Sequence, residues 1–183
     1  MSNAKKVTVS KPKVGGAVYR APLGTTLPTD ATTALDKAFK SLGYISEDGL
    51  TNSNSPESDS IPAWGGDKVL YYQTAKDDTF GFMLIEAMNE DVLKTVYGDK
   101  NVTGTLADGL TVKATADAAA DSAWVVETIL RGGAVKRIVI PCAHITEIED
   151  IVYKDDEALG YGVTLGATPD DSGVTHYEYI KGA

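Results

Sequence analysis

The run AWVVETILRGGAVKRIVIPCAHITEIEDIVY, residues 123–153, constrains the fold more than any other stretch. Two β-branched segments flank Arg131, Gly132, Gly133 and Ala134. Such segments favour strands, and a Gly-Gly centre suits a tight type I′ hairpin turn. Closure at that turn sets Glu127 opposite Ile138 and diagonal to Lys136, a cross-strand charge pair. Both faces of this hairpin mix polar and apolar residues, so alternation alone does not choose the buried face. A chain built around such a hairpin is an antiparallel β protein.

Further strands are expected along the chain. Residues 14–20 read as a short extended segment, and GYISEDGLT (43–51) as another. DKVLYYQTA and TFGFMLIEAM read as two strands joined by a turn at KDD (76–78). VTGTLADGLTVKATA carries a hairpin around Asp108 and Gly109, and GYGVTLGAT with GVTHYEYI forms a last hairpin around PDDSG. Two helices are expected. Asp30 caps the first, over residues 31–42, where Leu35, Ala38, Phe39 and Leu42 make an apolar stripe. Asp36 and Lys40 pair four apart on its outer face, and Gly43 stands at its stop. Asn89 caps the second, over residues 90–97, with Val92, Leu93, Val96 and Tyr97 inward and Gly98 as its stop.

Residues 52–66, NSNSPESDSIPAWGG, interrupt this pattern as a long polar inter-strand loop. Compact domains rarely carry such loops without a function for them. Trp64 either anchors the loop on another chain or caps its own core, and Gly65 and Gly66 let the backbone turn closely. At 183 residues with 43% hydrophobic content, the chain is one globular domain, 1–183, with an N-terminal arm over 1–13. Lys5, Lys6, Lys11 and Lys13 in that arm read as a solvated, flexible tail. No apolar run is long enough to span a bilayer, and no secretory h-region is present, so synthesis in the cytoplasm is expected.

Residues suited to catalysis do not converge. Cys142, the single cysteine, sits in IVIPCAHI and reads as a small buried hydrophobe. His144 and Glu147 are three apart in a strand and face opposite ways. His176 shares a strand face with Val174, Glu178 and Ile180, none of which completes a metal site. The glycines of GYGVTLG (160–166) lie within a β run with no helix after them, so they mark bends or close approaches rather than a dinucleotide loop. No enzymatic activity, cofactor or metal is expected. A net charge of −9 excludes the basic footprint of a protein that holds nucleic acid stably. No membrane association is expected either.

Taken together, YRAPLGTTLPTDATTALDKAFKSLGYISEDGLT (19–51), the IPAWGGDKV patch and LRGGAVKRIVIPCAHITEIED (130–150) resemble the major tail proteins, or tail tube proteins, of long-tailed, non-contractile bacteriophages. The resemblance covers nearly the whole chain. It implies a mainly β (α+β) fold: an antiparallel β-sandwich or partial barrel with one flanking helix and a second short one. It implies hexameric rings stacked into a tube, with tape measure protein, tail terminator and distal tail proteins as partners and DNA in transient passage. The virion tail is then its location and the host cytoplasm its place of synthesis. The 52–66 segment becomes an interface with a neighbouring subunit or ring, through Asn52, Pro56, Ile61, Pro62, Trp64, Gly65 and Gly66. Acidic residues Glu86, Glu127, Glu147, Glu149 and Asp150 are candidates for the lumen wall. No C-terminal immunoglobulin-like domain is expected. The alternatives are a head–tail completion or tail-terminator ring protein and, from a different class, a small-ligand-binding β-barrel.

Overall fold

The computed structural model describes residues 2–183. The described residues form eleven strands and one α-helix, joined by loops and short 3-10 turns. The strands are β1 (Ser10–Pro12), β2 (Val18–Pro22), β3 (Lys40–Ser41), β4 (Ile45–Pro62), β5 (Lys68–Leu84), β6 (Val102–Thr105) and β7 (Gly109–Val112). They continue with β8 (Ser122–Leu130), β9 (Val135–Ile148), β10 (Tyr161–Ala167) and β11 (Tyr177–Lys181), and α1 spans Glu90–Tyr97. All pairings are antiparallel. One sheet runs β3-β2-β8-β9-β10-β5-β4, with β1 also on β8 and β11 also on β9, while β6 and β7 form a separate hairpin. The sheet does not close on itself, and the fold is of the expected mainly β class, an antiparallel sandwich or partial barrel.

The β8–β9 hairpin is the spine. Trp124 and Val126 enter the inner core with Ile138 and Ile140, against Phe80, Phe82 and Leu84 of β5. Ala123 and Val125, on the alternate positions, enter an outer core with Val139, Ala21 and Phe39. Burial on both faces explains why both hairpin faces carry apolar residues in the sequence. The Trp124 indole also donates to the Ala143 carbonyl at 3.2 Å, which satisfies its one polar atom.

The hairpin register differs from expectation by one residue. Glu127 stands opposite Arg137, not Ile138, and Lys136 pairs instead with Glu178 at 2.6 Å. The closing turn spends three residues, Arg131–Gly133, in a 3-10 turn with both glycines at positive φ. A two-residue type I′ turn would have used an even count. The register gives Glu127 a buried partner: its carboxylate accepts from Arg137 Nε at 3.0 Å and from Nη2, and from Lys13 at 2.7 Å. Both Glu127 and Arg137 are almost fully buried. Arg137 further donates Nη1 to the Asp30 carbonyl at 2.8 Å. The N-terminal arm is thereby fixed rather than free at residues 10–13, where β1 also pairs with Thr128–Leu130 of β8. Lys6 and Lys11 remain exposed, and the side chain of Lys5 lies outside the described residues.

The helix expected over residues 31–42 is absent; the segment is irregular as far as Phe39 and then enters the short strand β3. Its apolar residues are buried, but on opposite sides of the sheet. Phe39 joins the outer core, whereas Leu42 joins the inner core, its amide donating to the Val18 carbonyl at 2.9 Å. One helical face cannot serve both. Asp30 does accept from the Thr32 and Thr33 amides at 2.5 and 2.6 Å, as a cap would, but no helix follows. Asp36 accepts from the Ala38 amide at 2.9 Å, an amide that a helix over this segment would use internally. The segment still covers the sheet from outside, as the expected flanking helix would have done.

Elsewhere the expectations meet the structure more closely. Helix α1 forms as expected, with Asn89 Oδ1 accepting from the Asp91 amide at 2.9 Å and Gly98 at φ +95 closing it. Val92, Leu93 and Val96 fill the inner core. The β6–β7 hairpin also forms, with Gly109 opening its second strand. KDD makes no turn, because β5 runs unbroken from Lys68 to Leu84. The last hairpin is absent too. β10 pairs with residues 143–148 of β9 and β11 with residues 135–139, so the two lie end to end along one edge. The PDDSG turn does form, held by Asp170, as a detour between them.

That detour fixes where β4 and β5 leave the body. Asp78 Oδ2 accepts from Thr175 Oγ1 at 2.5 Å and contacts His176 Nδ1 at 2.5 Å; its Oδ1 accepts from Asn52 Nδ2 at 2.8 Å. His176 packs its ring edge-on against Phe80, with centroids 5.3 Å apart. Burial opposes ionisation of Asp78, but these hydrogen bonds outweigh it and hold the carboxyl below its usual 3.8.

Two outcomes are expected. Arg137→Ala leaves the buried Glu127 carboxylate with only the half-exposed Lys13 as its partner and should cost about 3 kcal/mol in chemical denaturation. Glu127→Leu combined with Arg137→Met should recover most of that loss; a double variant as weak as the single would refute the charge argument. For Asp78, a folded pKa below the unfolded one places its stabilisation above the usual carboxylate range and removes it as pH falls. The stability gap between wild type and Asp78→Asn should therefore be full near neutrality and shrink below about pH 4. A gap constant from pH 7 to about 2.5 would contradict the assignment.

Candidate assembly interface

Past Asp78 the β4–β5 pair leaves the body as an arm. Pairing continues outward from Asn54 with Asp78 to Pro62 with Lys68, and residues 63–67 form the tip. At about 3.3 Å per residue the arm reaches on the order of 30 Å. Between residues 52 and 77 only Ser60 and Ala75 are even half-buried. The expected 52–66 loop is thus a strand over most of its length, corrected by its pairing with β5. A polar strand reads as a loop when no apolar alternation marks it; its partner strand supplies the order here.

The arm is polar on β4 and apolar on β5. Ile61, Trp64, Val69, Leu70, Tyr71 and Tyr72 are all exposed, and Trp64 completely so. Trp64 therefore does not cap the chain's own core. Gly65 and Gly66 take φ of +112 and +99 and turn the tip, as their place in the sequence suggested. Lys68 Nζ lies 5.9 Å from the centre of the Tyr71 ring. Pro56 lies within β4 where the register slips by one residue after Glu57, and Pro62 lies at a second slip. Asn52 belongs to the root, through Asp78, rather than to the exposed surface. An isolated two-stranded ribbon is marginal in water. This one also exposes aromatic side chains that nothing in its own chain covers.

The apolar run VLYY of β5 was the overlooked sequence signal. A strand apolar at consecutive positions must be covered on both faces, and β5 has a covered face only from Asp78 onward.

The acidic candidates divide. Glu127 is buried in its ion pairs, so it cannot line an open channel; the register shift opposite Arg137 put it there. Glu86 is tied down, accepting from the Tyr44 amide at 3.0 Å and from Asn89 Nδ2 at 2.9 Å, with its carboxyl over Gly43. Glu147, Glu149 and Asp150 are exposed at the end of β9. Glu149 folds over Gly162, where a Cβ would collide with it, and lines a cleft with Asp48.

The residues weighed for chemistry stay apart. His144 faces Asp121 at 3.3 Å and His176 faces Asp78, each with a single carboxylate. Among the described residues no three His, Cys, Asp or Glu side chains gather around a common point. Cys142 is half-buried, and burial, with the charge of Asp121, pushes its thiol above the usual range and away from the reactive thiolate. Gly162 and Gly166 lie in β10 beside Glu149 and Thr146, where side chains approach too closely for a Cβ.

The exposed apolar side chains of the arm form a surface that another chain could cover. No curated protein matches the chain. A family model described as phage tail tube protein matches residues 3–183. With nearly its full length matched, the chain belongs to the phage tail tube protein family.

Proposed function

We propose that this chain is the structural subunit whose hexameric rings stack into the tail tube of a long-tailed, non-contractile phage, the conduit for DNA ejection. It works in the virion tail after synthesis in the host cytoplasm, and meets tape measure, terminator and distal tail proteins there. The observation that carries the reading is the uncovered arm on a chain of this family. Its Ile61, Pro62 and Trp64 are placed to be buried by another subunit, with Pro56, Gly65 and Gly66 shaping the approach. The role is structural rather than catalytic. The chain has 26 acidic and 17 basic side chains. An acidic conduit repels phosphates, whereas a basic one would hold them through counterion release. Glu147, Glu149 and Asp150 are the lumen candidates that remain exposed, and Glu86 contributes from the body.

Electron microscopy of the purified protein should show tubes with sixfold end views; isolated rings at every concentration would favour a completion or terminator protein. Trp64→Ala should leave subunit melting unchanged, since the side chain touches no core, while weakening assembly by about 2 kcal/mol or more. A variant that melts early would return Trp64 to the fold. Glu147→Lys with Glu149→Lys and Asp150→Lys should assemble normally but slow DNA ejection, with the delay relieved by added salt. Unchanged ejection would remove these residues from the lumen wall.

A further inference from the structure

A groove of about 690 Å³ opens between the N-terminal strand β1 and the first residues of β4. Its aliphatic lining comes from Ile45, Leu50, Val126 and Ile138. Val126 and Ile138 are core residues, so the groove is the open mouth of the curled sheet rather than a surface dimple. Glu47, Asp48 and Lys11 stand on its rim, and none of them has an ion pair among the described residues. Ile180 of β11 stands at one end, itself largely exposed.

We infer that this groove receives the arm tip of a second copy of the chain, with Trp64 as the inserted anchor. The inference rests on the self-assembly reading and names the receiving surface. The groove is large enough for an aromatic anchor and its neighbours, and its aliphatic lining offers the burial that Trp64 lacks in its own chain. The charges match: Lys68 at the tip faces the rim carboxylates Glu47 and Asp48, and Asp67 faces Lys11. The occupant is another copy because a chain's own tip cannot reach its own groove. Asn52 lines the groove and begins the arm, and the paired strands then carry the tip on the order of 30 Å away. Tip and groove are different surfaces, so each subunit offers one and receives one. Such a head-to-tail contact propagates from copy to copy instead of ending at a dimer.

The test uses the full chain with p-benzoylphenylalanine in place of Trp64. After assembly and irradiation, mass spectrometry should place the intermolecular crosslinks on peptides containing Leu50, Ile138 or Ile180. In parallel, Ile180→Glu should raise the concentration needed for assembly roughly tenfold or more without lowering the melting temperature of the subunit. Tubes whose crosslinks fall outside the groove, or an Ile180→Glu variant that assembles like wild type, would overturn this inference and leave the tube role standing. A protein that stays monomeric at all concentrations overturns the tube role, and the inference with it.

Discussion

The β8–β9 hairpin must be covered on both faces, and the rest of the body follows from that requirement. Its inner face curls the sheet so that Phe80, Phe82 and Leu84 of β5 come down on Trp124. Its outer face needs a second cover, and residues 27–39 supply one through Leu27, Leu35, Ala38 and Phe39. The Glu127–Arg137 pair lies on that outer face, where Arg137 also holds the covering segment by the Asp30 carbonyl and Glu127 holds the N-terminal arm through Lys13. One buried ion pair thus fastens three separate stretches of chain. Its contribution is one of arrangement more than net energy, since a buried pair returns little beyond its own desolvation.

The arm is the opposite case. The body satisfies its strands on both faces, while the arm satisfies neither face of β5 beyond the root. What the body does provide is direction. Asp78 binds Asn52 across the hairpin and Thr175 and His176 from the detour before β11, so the arm leaves the sheet from a clamped base. A ribbon fixed at its root and bare at its tip loses less orientational entropy on docking than a free loop of equal length. The clamp therefore links the fold of the body to the affinity of the assembly.

How much of this was legible in the sequence depends on how local the signal was. Helix α1 was readable because its cap, stripe and stop lie within ten consecutive residues, from Asn89 to Gly98. The central hairpin was readable from its β-branched runs, but its register was not, since three residues rather than two close the turn and put Arg137 opposite Glu127. Residues 31–42 misled because a stripe at helical spacing records only that the residues are buried, not that they share one core. Leu42 and Phe39 are buried on opposite sides of a sheet contributed by distant strands. The 52–66 segment was legible as a stretch apart from the core, and the structure leaves it exposed with Trp64 at its tip. Its strand character, and the apolar half on β5, depended on a pairing that composition does not encode.

An exposed ribbon of this length invites indiscriminate strand pairing, and the arm carries features that oppose it. Pro56 and Pro62 remove two amide donors from the β4 edge, and the register slips beside them break its regular ladder. Glu57, Asp59 and Asp77 spread negative charge along the two strands, and Asp67 adds to it at the tip. Edges guarded in this way resist aggregation, and in a protein of net charge −9 each copy also repels the next. What remains attractive is local: Ile61, Trp64, Val69, Leu70 and Tyr71 near the tip. A guarded edge with an unguarded apolar tip disfavours random sheet extension while leaving one geometry of association favourable. In the docking proposed above the tip is buried in a cavity rather than added as a strand, so the open mouth of the sheet, and not another edge, would be its complement.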